Sequence, residues 1–443
     1  MRIGFGRSDV TPRVGVELSG FGAFINRHST GVRDRLWARA MAFDQDGARL
    51  VLVSCDLIGL PGAVVHQVRQ LVGAAAGLPL EAVMVHCTHT HSGPGTAAYI
   101  GWGEADVPYM EILPRRIAHA CTNALEGLQE ARLSLAEVPC EGMSYNREAE
   151  KMPADLSAAL RDDWRPARPD LTETTCHVVK AEAGGRLIGF FSCFGCHPVV
   201  CCEQTRQIHG DFAGVATNLL EGEHPGSVGL FLQGAQGDLN SCVAHRPEPE
   251  SLRALDVIAA RYARQVRAGL AACRPVQVDS IRCAVRRHAF SRKPWDLATL
   301  RAKLAASEAV LHAPGASDES YELRLAAVHA SALRLLIAAR EAGQSLEPAA
   351  ELQGFRIGPI ALLGAPFEVF RAIKQDVVAR AKSPIPLVLG ITNDDLGYAV
   401  DRAAAARGGY AADLVPLICR ALPFANIHDE LVGELLALDA ALA

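Results

Sequence analysis

The sequence predicts an α/β fold: a mixed sheet core flanked by helices, in a single large domain that carries a helical hairpin insertion. Three observations predict it. Apolar runs of strand length alternate with stretches of helical period along most of the chain. A chain of 443 residues with 49% hydrophobic content can bury a large core. Between 291 and 344 the apolar spacing changes to threes and fours, which assigns 1–290 and 345–443 to one body and 291–344 to an insertion.

Taken in order, Ser8-Asp9-Val10-Thr11-Pro12 is a turn after a short first strand. Residues 36–43 and 49–55 are strands joined by a hairpin-like turn at Asp44-Gln45-Asp46-Gly47, and 63–75 has helical period. The next strand runs into Val83 to Gly95, VMVHCTHTHSGPG. If the strand persists that far, its period of two puts His89 and His91 on one face. Two imidazoles so placed suit a divalent metal, or are polar strand-end residues satisfied by hydrogen bonds.

Residues 108–130 read as a helix with a partial apolar face of Ile112, Ile117, Ala118, Cys121 and Leu125. Strands at 133–137 and 177–180 flank a polar excursion, 144–169, expected as a surface loop that carries Asn146-Arg147. A strand at 187–196 ends in His197, a helix covers 211–221, and a strand at 228–232 runs into the loop Gln233 to Asn240. Its glycines let backbone N–H groups approach a substrate oxygen, with Asp238 either acting there or holding the loop through its own backbone. Residues 252–272 are helical and 276–288 strand-like.

In the insertion, Leu297, Leu300 and Leu304, then Tyr321, Leu325, Val328, Ala332 and Leu335, mark two helices around a turn at 313–316. They are expected as core packing, a lid or an oligomer contact. Beyond it come a strand at 357–363, a helix at 366–382, a strand at 386–391 and a closing helix at 428–442. Glu368 falls in the first turn of that 366–382 helix, where the dipole favours a carboxylate.

The formal charge of −5 with no block of like charge gives no footing for nucleic acid. No stretch approaches the roughly 18 apolar residues of a membrane span, and the opening residues have no signal-peptide run, so the expected location is cytoplasmic. Thirteen cysteines, an odd number, are expected as buried thiols. Cys193, Cys196, Cys201 and Cys202 cluster locally, which offers a second class of function: a metal-binding or redox-sensing protein without catalysis.

His89 and His91, His197, Glu368 and Tyr398 each lie just beyond a strand-like run. In sheets built from parallel units, ligands bind outside the carboxyl ends of strands, so these groups can meet at one rim.

The chain resembles the neutral ceramidase family, zinc-dependent amidases that cleave the N-acyl bond of a sphingolipid. The resemblance begins at Arg7-Ser8-Asp9-Val10-Thr11-Pro12 and is most specific in Thr88-His89-Thr90-His91-Ser92-Gly93-Pro94-Gly95. It continues through Asn146-Arg147, His197, His209-Gly210-Asp211, Gly237-Asp238, Glu368 and Asn393 to Tyr398. It implies a catalytic domain with one Zn2+ held by His89, His197, Glu368 and Tyr398, and with His91 and Arg147 facing the substrate. Asp238 and Asn240 belong to the same implied site. Ceramidases carry Ser two residues after the Gly-Asp pair; here Asn240 stands there and Ser241 is one residue late, so attack by metal-activated water is expected instead. The lack of a secretory signal and of the family's C-terminal domain points to a short bacterial-type member.

The expected function is therefore a zinc-dependent hydrolase that cleaves a non-peptide amide of a small soluble N-acyl substrate. Esterase, lactonase or ceramidase activity on the same zinc site is the alternative within this class. The expected partners are a small-molecule amide or ester and, through the helical hairpin, a second copy of the chain.

Overall fold

The computed structural model describes residues 1–443. Three sheets follow one another along the chain, and each carries one parallel pair. The first contains β1 (Arg2–Asp9), β2 (Trp37–Gln45) and β3 (Ala48–Cys55), after which α1 (Gly62–Ala76) crosses over to β4 (Val83–Cys87). β3 and β4 are parallel, from Val51 opposite Val83 to Cys55 opposite Cys87. Every residue of β4 is buried, as expected of a parallel strand covered on both faces. α2 (Val107–Glu126) lies so close to β1 that a Cβ at Gly4 would sit 2.0 Å from the Ala124 carbonyl oxygen. Its inward face is Tyr109, Leu113, Ile117 and Cys121, whereas Ile112, expected on that face, is 43% exposed.

The second sheet is built from β5 (Arg132–Pro139), β7 (Thr175–Ala183), β8 (Arg186–Phe194) and β9 (Val228–Gln233), with β6 (Ser144–Asn146) lying between β5 and β7 in sequence. α3 (Asp211–Glu223) connects β8 to its parallel neighbour β9. After β9, β10 (Leu239–Ser241) pairs antiparallel with β6, and α4 (Glu250–Ala272) follows. The segment expected as a surface loop from 144 thus begins as a buried strand, because the β10 ladder satisfies its backbone. Fully buried Arg39 on β2 donates to Asp56 (2.8 Å), to Glu221 on α3 (3.1 Å) and to Asn218 (2.5 Å), tying the first two sheets together.

The third sheet contains β11 (Ile281–Ala289) and, after α5 (Leu297–Leu311) and α6 (Tyr321–Glu341), β12 (Ala349–Ile357) and β13 (Ile360–Gly364). The single strand expected at 357–363 is divided between these two by a turn at Gly358 (φ 54°) and Pro359. β14 (Glu368–Val369), α7 (Arg371–Val378), β15 (Ile385–Leu389) and β16 (Tyr398–Ala399) complete the unit, with β13 and β15 parallel. The helix expected from 366 starts only at Arg371. Glu368 lies instead in β14, paired in parallel with Tyr398 of β16. Its N–H donates to Gly397 (2.9 Å) and that of Phe370 to Ala399 (3.0 Å), so a tertiary ladder overrides the local helix signal of Pro366.

α5 and α6 pack Leu300, Leu333 and Leu336 against Leu417 and Leu422. Tyr321 and Leu335, expected within the apolar stripe, are each 51% exposed. α8 (Arg402–Arg407), α9 (Val415–Ile418) and α10 (Ile427–Ala441) close the chain, and no helix is long and apolar enough to cross a membrane.

His86 on β4 joins the three sheets. Its Nε2 accepts the N–H of Gln233 at the end of β9 (2.8 Å), and its Nδ1 lies 3.2 Å from the Thr392 hydroxyl beyond β15. Burial pushes its pKa down to about 3, so the ring is neutral and can accept that N–H.

Candidate metal centre

The carboxyl ends of the three parallel pairs converge, and each supplies one element of a common site. β4 ends at Cys87, so the two histidines beyond it do not share a strand face. His89 has a left-handed backbone (φ 69°), and this turn aims both rings at one point. His197 follows β8, and Glu368 follows β13. Ring centroids of His89, His91 and His197 lie 4.9 to 5.4 Å apart, and their ligand nitrogens all fall within 4.8 Å of one another. Glu368 Oε2 is 3.3 Å from His89 Nε2 and 3.0 Å from His197 Nε2.

Each imidazole is oriented by a backbone carbonyl that accepts from its Nδ1. The acceptors are Ile58 for His89 (2.6 Å), Gly20 for His91 (3.0 Å) and Gln236 for His197 (3.0 Å). Ile58 follows β3 and Gln236 follows β9, the parallel neighbours of the strands that deliver His89 and His197. One strand of each pair presents the ring and the other fixes its tautomer. With the proton committed to Nδ1, every Nε2 directs a lone pair inward. The Nε2 atoms of all three histidines and Glu368 Oε2 are buried with no hydrogen-bond partner. Four converging lone pairs without a proton between them repel unless a cation neutralises them, so this donor set fits a divalent metal.

The electrostatics agree. Burial works against the Glu368 carboxylate, yet His89 and His197 outweigh it and hold the pKa well below the usual carboxylate range. Burial, with His89 and His197 beside it, holds His91 well below its ordinary value, and burial brings His197 down to about 4. Burial works against charge on His89, yet Glu368 outweighs it and raises that ring above its ordinary value, so His91 and His197 are the two rings held neutral as ligand or base.

Tyr398 stands over the cluster, its ring centroid 6.4 Å from that of His197, and the Arg147 guanidinium carbon lies 5.1 Å from the Tyr398 ring centroid. Arg147 donates to the Gly237 carbonyl (2.6 Å) and to Asn240 Oδ1 (3.5 Å), and Asn240 Nδ2 donates to the Tyr145 hydroxyl (3.2 Å). Asp238 stands further back. Its Oδ1 accepts from the Arg371 N–H and its Oδ2 from Asn146 Nδ2, both at 2.8 Å. With both oxygens engaged, Asp238 is a positioning residue that locks the glycine loop to β6 and α7.

The cysteines take no part in this cluster. All thirteen are unpaired, and Cys193, Cys196, Cys201 and Cys202 are buried; burial raises each thiol, Cys193 and Cys201 to about 12, which keeps them protonated.

Sequence reasoning passed over several residues here. The carbonyls of Gly20, Ile58 and Gln236 carry no residue-type signal. Asp395 accepts a hydrogen bond from the Tyr99 hydroxyl beside His89, and burial raises its pKa to about 7. Its place between Asn393 and Tyr398 was the available signal. A cavity of about 30 Å³ adjoins the histidines, walled by Ile58, Tyr99, Trp102, Tyr410, Val415 and Ile418. A larger cleft of about 810 Å³ opens beside Arg69 and Glu351, away from the histidines. The Arg69 guanidinium is already paired there with Glu351 and Gln353, so the cleft lacks the unpartnered donor set of the small cavity.

Known proteins share this arrangement of chain. The neutral ceramidase of Pseudomonas aeruginosa is 27% identical over 257 residues, which cover 56% of this chain and 38% of that one, so the match spans well under half of that relative. The solved neutral ceramidase of Pseudomonas aeruginosa superposes on all of this chain and 75% of its own with a TM-score of 0.74 at 22% identity. A structure described as ceramidase complexed with C2 gives a TM-score of 0.77 at 21% identity, again over all of this chain and 75% of its own. These likenesses establish the fold. Residues 1–245, more than half of the chain and the stretch that holds His89, His91, Arg147 and His197, match the family model for the N-terminal region of neutral/alkaline non-lysosomal ceramidase, and the chain belongs to that family.

Proposed function

We propose that this chain is a zinc-dependent hydrolase that cleaves the amide bond of a small N-acyl substrate. The observation that carries the proposal is the convergence of His89, His91 and His197 Nε2 and Glu368 Oε2, all buried and unpartnered, with each ring locked by a carbonyl. His89, His197, Glu368 and Tyr398 would hold the metal, with His91 turned to the substrate. Bound there, zinc would supply Lewis acidity toward the carbonyl and lower the pKa of water to about 7.

The chain's own residues supply the rest. Neutral His91, half-buried and held by Gly20, can take the proton of the attacking water and return it to the departing amine nitrogen. Arg147 and the Tyr398 hydroxyl, at the same rim, stabilise negative charge as it develops on the carbonyl oxygen. Asn240 holds one edge of Arg147 and needs no nucleophilic role.

Elemental analysis of the purified protein, followed by matched amide and ester substrates with and without a chelator, tests the proposal. Stoichiometric zinc and chelator-sensitive amide turnover are expected. Faster turnover of the matched ester would reassign the bond, and long-chain ceramide as the preferred amide would reassign the substrate. A protein without any divalent metal, or one whose turnover survives His197→Ala, refutes the mechanism.

A further inference from the structure

The carbonyls that orient His89 and His197 follow strands of parallel pairs, whose ladders hold them in place. Gly20, whose carbonyl orients His91, has no such support, since it lies between β1 and β2 and outside the three sheets. The chain there runs out and back, with the Leu18 N–H donating to the Arg27 carbonyl (2.7 Å) and the Ser29 N–H to that of Val16 (2.9 Å). Gly20 has a positive φ of 100°, and a Cβ on it would sit 2.4 Å from His91 Nδ1. Loop and ring are in direct contact, so a shift of one moves the other.

Arg27, on the return limb of this loop, is only 1% exposed. Its Nη2 donates to two carbonyls, those of His91 and of Ser19, the latter at 3.2 Å. The guanidinium carbon stands 4.9 Å from the centroid of the Phe21 ring, and that ring meets the His91 imidazole edge-on, centroids 5.3 Å apart. One side chain thus grips the backbone of His91, the peptide just before Gly20 and the ring that flanks the imidazole. Nε and Nη1 are buried with no partner, so the charge is held without a carboxylate. Burial lowers its pKa only to about 10, and the group stays cationic at neutral pH. A buried, unpaired cation is costly, and an apolar side chain of similar volume would fill the space better. What the guanidinium adds is donation to the two carbonyls and the stack on Phe21.

We infer that Arg27 is the positioning residue of His91: it stands in for the missing strand ladder and fixes both the backbone of His91 and the Gly20 carbonyl that accepts from its Nδ1. The inference rests on the reading of His91 as the proton carrier and extends it to a residue outside the donor set. Misplacing a reacting group by about 1 Å can cost on the order of 100-fold in rate while leaving binding intact.

The test uses the full chain with its native metal content and two probes, N-acetylethanolamine and N-hexadecanoylethanolamine, with release of the amine as readout. Arg27→Met, which removes both donations, should lower kcat about 10- to 100-fold with KM within about twofold, and should keep the zinc-dependent part of the melting temperature. Arg27→Gln, which keeps one amide donor for the two carbonyls, should stay within about fivefold of native kcat; it keeps the proposal falsifiable if the methionine variant fails to fold. In a His91→Ala background, Arg27→Met should cost less than about threefold more, because the two residues act through one group. Nitrogen-15 histidine spectra give a readout free of turnover, with the His91 signals identified by their loss in His91→Ala. Native protein should show one His91 tautomer, protonated at Nδ1, and Arg27→Met a mixture. Native kcat in Arg27→Met, a full additive loss in the His91→Ala background, a loss in Arg27→Gln as large as in Arg27→Met, or an unchanged tautomer would each overturn the proposal. Absence of turnover of both probes by native protein, or native turnover in His91→Ala, would sink the amidase reading or the role of His91 alone, with the tautomer signals still deciding whether Arg27 holds the ring.

Discussion

Chelation should lower the melting temperature of this protein by a few degrees, and the shift can be worked from the site. The Nε2 atoms of His89 and His197 and Oε2 of Glu368 stand buried and unpartnered, so a cation that satisfies them binds the folded chain and finds no such site in the unfolded one. Binding only to the native state stabilises by about 2.7 kcal/mol at one hundred times Kd and about 4.1 kcal/mol at one thousand times Kd. Unfolding entropy of about 2.1 cal/mol/K per residue gives ~0.9 kcal/mol/K for a chain of 443 residues unfolding as one unit. The expected shifts are then about 3 °C and about 4 to 5 °C. The assay is scanning calorimetry of chelated protein with zinc added back in steps, so that the shift grows with the logarithm of free metal. His197→Ala and Glu368→Gln should abolish the zinc-dependent part, whereas Cys196→Ser should retain it. Identical melting with and without zinc, or a shift that persists in both ligand variants, would refute the reasoning from orphaned donors.

Three further outcomes follow from named contacts. Arg39→Met should cost about 3 to 5 kcal/mol in denaturant unfolding, because it leaves the Asp56 and Glu221 carboxylates buried without their shared cation; a loss below 1 kcal/mol would show that water compensates. The folded-state pKa of His86, about 3 against 6.5, means that the unfolded chain takes up the proton first. Its contribution is therefore lost as pH falls from 6.5 toward 3, by about 2 kcal/mol at pH 5. His86→Gln should remove that part of the pH dependence in urea titrations at pH 7 and pH 5, and an equal pH effect in both proteins would contradict it. Arg147→Lys keeps the charge but loses the planar fork that meets both Gly237 and Asn240, so kcat/KM should fall about 10- to 100-fold with folding intact. Native-like kinetics in that variant would remove Arg147 from the reaction.

Much of the site was legible because its donors lie at strand ends, and strand ends are punctuated in the sequence. VMVHCTHTHSGPG stops an apolar run at Ser92-Gly93-Pro94, and His197 ends another such run. Glu368 was legible as a residue but not as an element. Pro366 and the following periodicity favour a helix, and only the pairing with Tyr398, thirty residues later, decides for a strand. The same holds for the expected face shared by His89 and His91, which the left-handed backbone at His89 replaces. The division into three sheets was hidden because strand pairing is non-local, and a period of two marks a strand without naming its partner.

The parallel pairs explain why so dispersed a set of residues can act together. A parallel pair brings two strand ends to the same edge, so one end can offer a side chain while its neighbour offers a backbone carbonyl to orient it. β3 with β4 gives Ile58 and His89, β8 with β9 gives His197 and Gln236, and β13 with β15 gives Glu368 and, nine residues after β15, Tyr398. His86 then fixes the three ends relative to one another through Gln233 and Thr392. It follows that loosening His86 should disturb metal affinity as well as stability, although it lies three residues from the nearest donor and its own nitrogens face away from the centre. A metal affinity left unchanged in His86→Gln would mean that each pair holds its ligand independently, and that the histidine serves folding alone.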